Sequence, residues 1–272
     1  NDTLSLGAHT LRFVFTPMVH WPEVMMTYEE HEHILFSADA FGTFGALNGN
    51  IFADESTPDM SEYRRYYTNI VGKYGVQVKA LLNKAQSLRI SMICPLHCLI
   101  WRKDIDNLIQ KYAKWSAYEP EIKGVLIAYS SVYGNTQSAA EIVANRLGEQ
   151  GVKNIQMYDV SVTHPSYVVA EAFRYSHIVF ATTTYNGGIF VTMENLLLDL
   201  KAHNLQNRTV ALIENGTWAA TAAGQMKNIL SSMKGMNVIA NPVTLKSSVK
   251  PEKRDELIAL ADAICETLKK RY

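Results

Sequence analysis

The sequence has 272 residues, 47% of them hydrophobic, enough for one or two domains with real cores. Its 26 Lys and Arg balance 26 Asp and Glu, so charge points neither to nucleic acid nor to an anionic membrane as a partner. No apolar run approaches the roughly 18–20 residues of a membrane span, and the first residues are neither basic nor apolar as a secretory signal would be. Cys94, Cys98 and Cys265 are too few and odd in number for a disulfide framework, which fits a reducing cytoplasm. The absence of an initiator Met raises the expectation that the chain begins inside a longer protein.

In chain order, residues 11–15 and 34–37 are strand-like, with a hairpin expected around 29–33. Residues 60–73 and 76–85 predict helices, 89–93 an apolar strand, and 103–115 a further helix. Three residues of metal-ligating chemistry fall where strands give way to loops: His20 (in TPMVHWP), Asp39 (in FSADAFG) and His97 (in CPLH). Imidazole with carboxylate suits iron or zinc, and one carboxylate can bridge two metals. A lone loop histidine is more often structural, so local chemistry leaves both readings open. Glu30, His31, Glu32 and His33 read as a solvated turn, and His9, His164, His177 and His203 as structural or exposed. A short polar stretch, AYEPEI at 117–122, separates this region from a differently patterned one, giving expected domains at 1–118 and 119–272.

Beyond the junction, apolar runs at 125–129, 155–158, 177–181, 209–214 and 238–243 alternate with amphipathic ones at 136–150, 167–175, 192–203, 219–234 and 252–270. Five β-α units imply an α/β fold, a doubly wound parallel sheet with helices on both faces. Ligands of such sheets bind beyond the carboxyl ends of the strands, at the switch point. The loop after the first strand is Ser130, Ser131, Val132, Tyr133, Gly134, Asn135 and Thr136: small hydroxyl residues and a Gly leading into a helix N-terminus, which is anion-binding chemistry. It lacks the Gly-Lys-Ser/Thr of a nucleoside triphosphate site. A plain helix cap by Asn135 or Thr136 is the competing reading. After the third strand come Thr182, Thr183, Thr184, Tyr185, Asn186, Gly187 and Gly188, and after the fourth Asn215, Gly216, Thr217 and Trp218. Each pairs a flexible polar backbone with an aromatic. Singly they are ordinary turns and rim aromatics; at the ends of strands one, three and four together, they outline a ligand cleft.

These segments resemble the flavodiiron proteins (A-type flavoproteins). Residues 130–136 are similar to the family's phosphate loop, and 184–188 and 214–219 to its two isoalloxazine loops, with Thr183 and Ala220 where the family usually has Pro. Residues 16–21, 36–42 and 94–101 are similar to the last three ligand motifs of its metallo-β-lactamase-like domain. Eighteen residues separate His20 from Asp39, and 57 separate Asp39 from His97, as in the family. The resemblance implies a flavodoxin-like five-stranded sheet of order 2-1-3-4-5 that binds FMN, preceded by the C-terminal part of a metallo-β-lactamase-like αββα domain. His20 and His97 would each bind one iron and Asp39 would bridge both. The family's His-Gly-Pro-Ile-Trp stands here as His97-Cys98-Leu99-Ile100-Trp101, a change that would displace the His97 loop.

The family's first motif, His-x-Glu-x-Asp-His, is not found, so the expectation is that the earlier part of the lactamase-like domain lies elsewhere, and that three ligands cannot hold two irons. For the intact protein the resemblance implies an oxidoreductase taking electrons from a rubredoxin-like or NADH-linked donor through FMN to a non-haem di-iron site. There O2 is reduced to water or NO to N2O, in a head-to-tail homodimer or tetramer. Residues 121–272 carry 15 Lys and Arg against 13 Asp and Glu, unlike the strongly acidic free flavodoxins, which suggests a flavin module fixed beside its electron acceptor. Two other readings stay open: a flavodoxin-like electron-transfer module with a vestigial appendage, and a zinc hydrolase.

Overall fold

The computed structural model describes residues 2–270; Asn1, Arg271 and Tyr272, at the outer ends of the two expected domains, lie outside the described residues. Two compact units divide between Tyr118 and Glu119. No described helix is long and apolar enough to cross a membrane.

The first unit is built on a sheet in the order β1 (Thr3–Ser5), β2 (Thr10–Phe15), β3 (Met25–Glu29), β4 (Ile34–Phe36) and β5 (Met92–Cys94). All neighbours are antiparallel except β4 and β5. Strand alternation sends Val14, Met26, Tyr28, Leu35 and Ile93 to one face, where they join the buried core. The opposite face carries Leu4, Phe15, Met25 and Phe36, each 47–49% exposed. The β3–β4 hairpin forms where the sequence expects it. Its turn is shaped by Glu29, whose carboxylate accepts the backbone N–H groups of His31 and Glu32 at 2.9 and 2.6 Å. Strand β5 begins at Met92 rather than 89, because the backbone ahead of it has other partners. Tyr28 donates its hydroxyl to the Arg89 carbonyl at 2.6 Å, and Ser91 N–H donates to the His33 carbonyl at 2.9 Å.

Three helices cover the core face: α1 (Met60–Tyr66), α2 (Gly75–Ala85) and α3 (Ile105–Ser116). The uninterrupted helix expected over 60–73 is instead α1, a wide π-type turn over Tyr67–Val71 and a tight 3₁₀ turn over Gly72–Tyr74. The cause is Tyr118, whose hydroxyl enters the backbone ladder, donating to the Gly72 carbonyl at 3.0 Å and accepting from Gly75 N–H at 3.3 Å. Leu108, Tyr112 and Trp115, spaced four and three residues apart on α3, bury one stripe against this segment.

The second unit is a parallel sheet of strands β6 (Ile122–Tyr129), β7 (Ile155–Asp159), β8 (Tyr175–Tyr185), β10 (Thr209–Asn215), and a last strand in two pieces, β11 (Asn237–Val238) and β12 (Val243–Leu245). The spatial order β7-β6-β8-β10-β11 is the expected 2-1-3-4-5, with β12 also on β10. Between them run α4 (Asn135–Glu149), α5 (Pro165–Arg174), α6 (Val191–Ala202), α7 (Ala222–Ser231) and α8 (Pro251–Lys270). The strand expected over 238–243 is split because Ala240 takes φ +59° and Pro242 has no N–H to give a ladder. Strand β8 runs past its expected end into a hairpin with β9 (Gly188–Ile189), whose Asn186 and Gly187 turn has φ +50° and +72°, the two positive angles a two-residue hairpin requires. Helix α7 starts at Ala222 rather than 219. Thr184 Oγ1 takes the N–H groups of Thr221 and Ala222, and buried Glu214 takes that of Ala223 at 2.7 Å.

Candidate functional site

The three loops picked out in the second unit meet in one cavity of about 490 Å³ at the carboxyl ends of β6, β8 and β10. Ser131, Val132, Tyr133, Asn135 and Thr136 line it from the first loop, Thr183, Thr184 and Tyr185 from the second, and Asn215, Gly216, Thr217 and Trp218 from the third. No charged side chain is among the lining residues. Ser130, Gly134, Thr182, Asn186, Gly187 and Gly188 are not among the lining residues: Ser130 and Thr182 are buried, and Asn186 and Gly187 form the exposed turn of the β8–β9 hairpin. Ser130 Oγ and Thr182 Oγ1, both fully buried, are hydrogen-bonded at 2.7 Å, tying the first loop to the second. Thr136 Oγ1 and Thr183 Oγ1 make a parallel tie at 3.1 Å. These hydrogen bonds tie loop to loop, and Thr136 and Thr183 also line the cavity, while Ser130 and Thr182 do not. Gly134 caps α4 at φ +83°, and at Gly216 a Cβ would come within 2.9 Å of the Ala220 backbone.

The anion end is defined by the amides of the first turn of α4 and by Ser131, whose Oγ is buried without a hydrogen-bond partner. A buried hydroxyl left unpaired is unfavourable, and a phosphate oxygen would satisfy it. At the mouth, Tyr133 is 90% and Trp218 96% exposed, while Tyr185 and Phe190 pack edge to face with centroids 5.6 Å apart. Large aromatics presenting themselves to solvent around a neutral, hydroxyl-rich cleft suit a planar ring carried on a phosphorylated polyol. The donor set thus fits FMN.

Two lining residues, Phe190 and Ser247, were not picked out from the sequence. Phe190 lay one residue past the small hairpin, a position legible only once β9 was known. Ser247 reaches the cavity from the end of β12, through pairing that leaves no local signature.

In the first unit, His20, Asp39 and His97 also converge. Asp39 Oδ2 lies 3.3 Å from His20 Nε2 and Asp39 Oδ1 3.0 Å from His97 Nε2, so one carboxylate spans two imidazoles. His20 and His97 edge a cavity of about 380 Å³ that Thr43, Phe44, Tyr66 and Cys98 also line. Burial, and then the nearby Asp39 carboxylate, raise the Tyr66 phenol well above its ordinary range. The His97 loop keeps the turn expected of glycine although it has none, because Cys98 itself adopts φ +69°. Its neighbour Gly42 leaves the room, since a Cβ there would sit 3.1 Å from His97 Cβ.

These donors do not by themselves fit a metal. Each carboxylate oxygen has one imidazole beside it, two donors where three or four protein ligands are usual. Among the described residues no group of three or more His, Cys, Asp or Glu can hold a metal ion. Of the other six histidines, His9 pairs with Glu29 at 3.0 Å, His33 with the Tyr28 hydroxyl at 2.9 Å, His164 caps α5, buried His177 lies between Ser176 and Thr267, His203 pairs with Asp199, and His31 is exposed beside Glu32.

Comparison with known proteins agrees across both units. The pattern of the ODP family beta lactamase matches residues 1–98, and that of the Flavodoxin family residues 127–259. A nitric oxide reductase of Moorella thermoacetica is 30% identical over 88% of this chain and 60% of its own length. An anaerobic nitric oxide reductase flavorubredoxin of Aeromonas hydrophila is 28% identical over 92% of this chain and 51% of its own length. The structure of rubredoxin oxygen:oxidoreductase from Desulfovibrio gigas superposes with a TM-score of 0.92 and 27% identity, over 98% of this chain and 67% of that one. The chain spans about half to three-fifths of the length of these two curated relatives.

Proposed function

From the premise that this chain belongs to the flavodiiron protein family, we propose that it is the electron-carrying part of an oxidoreductase, binding FMN in the cleft of its second unit. The flavodoxin domain implies FMN, and the observation that carries the reading is the convergence of three strand-end loops on one neutral cavity with an unpartnered Ser131 hydroxyl. Ser131 and the first amides of α4 receive the phosphate. Tyr133, Tyr185 and Trp218 flank the ring and limit water around it. When bound, the flavin accepts two electrons and releases them singly.

For the whole protein the activity we propose is reduction of O2 to water or NO to N2O at a non-haem di-iron centre. The electrons come from a rubredoxin-like or NADH-linked donor, in a cytoplasmic homo-oligomer. His20, Asp39 and His97 are its ligands from this chain by likeness to the family. They supply only two donors to each metal position. The same observation favours the second reading, in which this polypeptide is a flavin electron-transfer module whose first unit has no redox metal of its own.

The ratio of iron to FMN in the purified chain, by elemental analysis beside a flavin absorbance spectrum, separates them. One FMN per chain is expected in either case; a colourless protein that takes up no FMN overturns both. Two irons per FMN support the reductase reading, and FMN without iron supports the electron-transfer module.

A further inference from the structure

The cleft has a fourth wall that comes from the last strand. We infer that Ser247 is a ligand-contacting residue of this cleft, facing the polyol between phosphate and ring, and that Asn215 is the positioning residue that sets it. The inference rests on the FMN reading above.

Ser247 follows β12 and adopts φ +69°, a left-handed conformation disfavoured for any residue with a Cβ. Such outliers persist where their surroundings over-determine them, and they gather at ligand sites. Here the surroundings are one side chain. Asn215, 5% exposed at the end of β10, accepts Ser247 N–H on Oδ1 at 2.9 Å and donates Nδ2 to the Ser247 carbonyl at 2.9 Å. Parallel pairing of Asn215 with Leu245, and Gly216 N–H on the Leu245 carbonyl at 3.0 Å, bring the two strand ends together. The Asn215 amide, expected from sequence to contact the ligand, thus has its oxygen and one N–H occupied by the backbone of Ser247.

What this arrangement holds in place is a hydroxyl. Ser247 lines the cavity, and its Oγ accepts from Asn135 Nδ2 at 3.3 Å, at the start of α4. Ser247 therefore stands between the phosphate loop and the 215–218 loop. Its O–H remains to be donated at the stretch where a phosphorylated polyol carries its hydroxyl groups.

Glycine separates this role from a structural one because it moves two readouts in opposite directions. In the full chain freed of flavin, Ser247→Gly relieves the left-handed backbone and raises the melting temperature. It also removes the hydroxyl, and FMN binding followed by quenching of flavin fluorescence weakens roughly three- to tenfold. Ser247→Ala is expected to weaken binding equally without the gain in melting temperature. Riboflavin, which shares the polyol and lacks the phosphate, loses affinity by the same factor. Unchanged FMN affinity in both variants, beside an unaltered chain that binds FMN, overturns this assignment alone. A loss seen with FMN but not with riboflavin overturns the polyol contact. Failure of the unaltered chain to bind FMN overturns the functional reading and this assignment with it.

Discussion

At the scale of single residues, backbone conformation has outlived side-chain identity. Cys98 stands where the related motif has Gly and still adopts φ +69°, holding His97 within 3.0 Å of Asp39. The left-handed conformation costs an L-residue about 1–2 kcal/mol, partly offset in a Gly variant by a more flexible unfolded chain. Cys98→Gly is therefore expected to stabilise the first unit by about 0.5–1 kcal/mol, read as a rise of a few degrees in melting temperature by circular dichroism; a fall would show that the thiol makes contacts worth more than the strain. In this conformation His97 lies beside Asp39, Nε2 to Oδ1 3.0 Å. Residue chemistry was legible in the sequence to this depth. Ser131, Tyr133, Tyr185 and Trp218 could be found from loop position and type. The ties of Ser130 to Thr182 and Thr136 to Thr183 could not, because a hydroxyl looks the same in sequence whether it faces a phosphate or another hydroxyl.

At the scale of elements, strands and helices of the second unit were legible because each carries its own period and its own punctuation. Two departures have tertiary causes: Tyr118 interrupts the helix expected over 60–73 from 43 residues beyond Gly75, and Thr184 and Glu214 delay α7, whereas the break in the last strand at Ala240 and Pro242 is local. Local patterns hold no trace of a partner that arrives from so far along the chain. Close approach of backbone is equally invisible, and Gly124 on β6 is the clearest case: a Cβ there would meet the Asn154 carbonyl oxygen at 2.5 Å and the Tyr175 ring at 3.0 Å. Neither neighbour is the end of a flexible side chain. Gly124→Ala should push apart the start of β6 and its flanks and destabilise the second unit by about 1–3 kcal/mol, visible as a lower denaturant midpoint with an unchanged slope. A neutral result would mean that the strand can shift without loss.

At the scale of the molecule, charge is evenly balanced, with a net of +2 over residues 121–272 from 15 Lys and Arg against 13 Asp and Glu. The flavin cleft itself has no charged lining. Long-range steering of a protein donor should therefore be weak. The second-order rate of flavin reduction by such a donor is expected to change less than about threefold across a tenfold rise in ionic strength. A steep fall measured by stopped flow would point to a charged docking patch away from the cleft. The division into two units was readable from the polar stretch at 117–122, whereas nothing in composition distinguished a sheet covered on both faces from one covered on one.

The outer face of the first sheet has a practical side. Leu4, Phe15, Met25 and Phe36 lie about half exposed on neighbouring strands, on a folded sheet rather than in a molten core. Environment-sensitive dyes such as anilinonaphthalene sulfonate light up on surfaces of this kind. The chain should thus be bright with dye while fully native, and dimmer if heating first draws copies together over that face. A rising dye trace would then report the second unit opening, and the first unit would melt unseen.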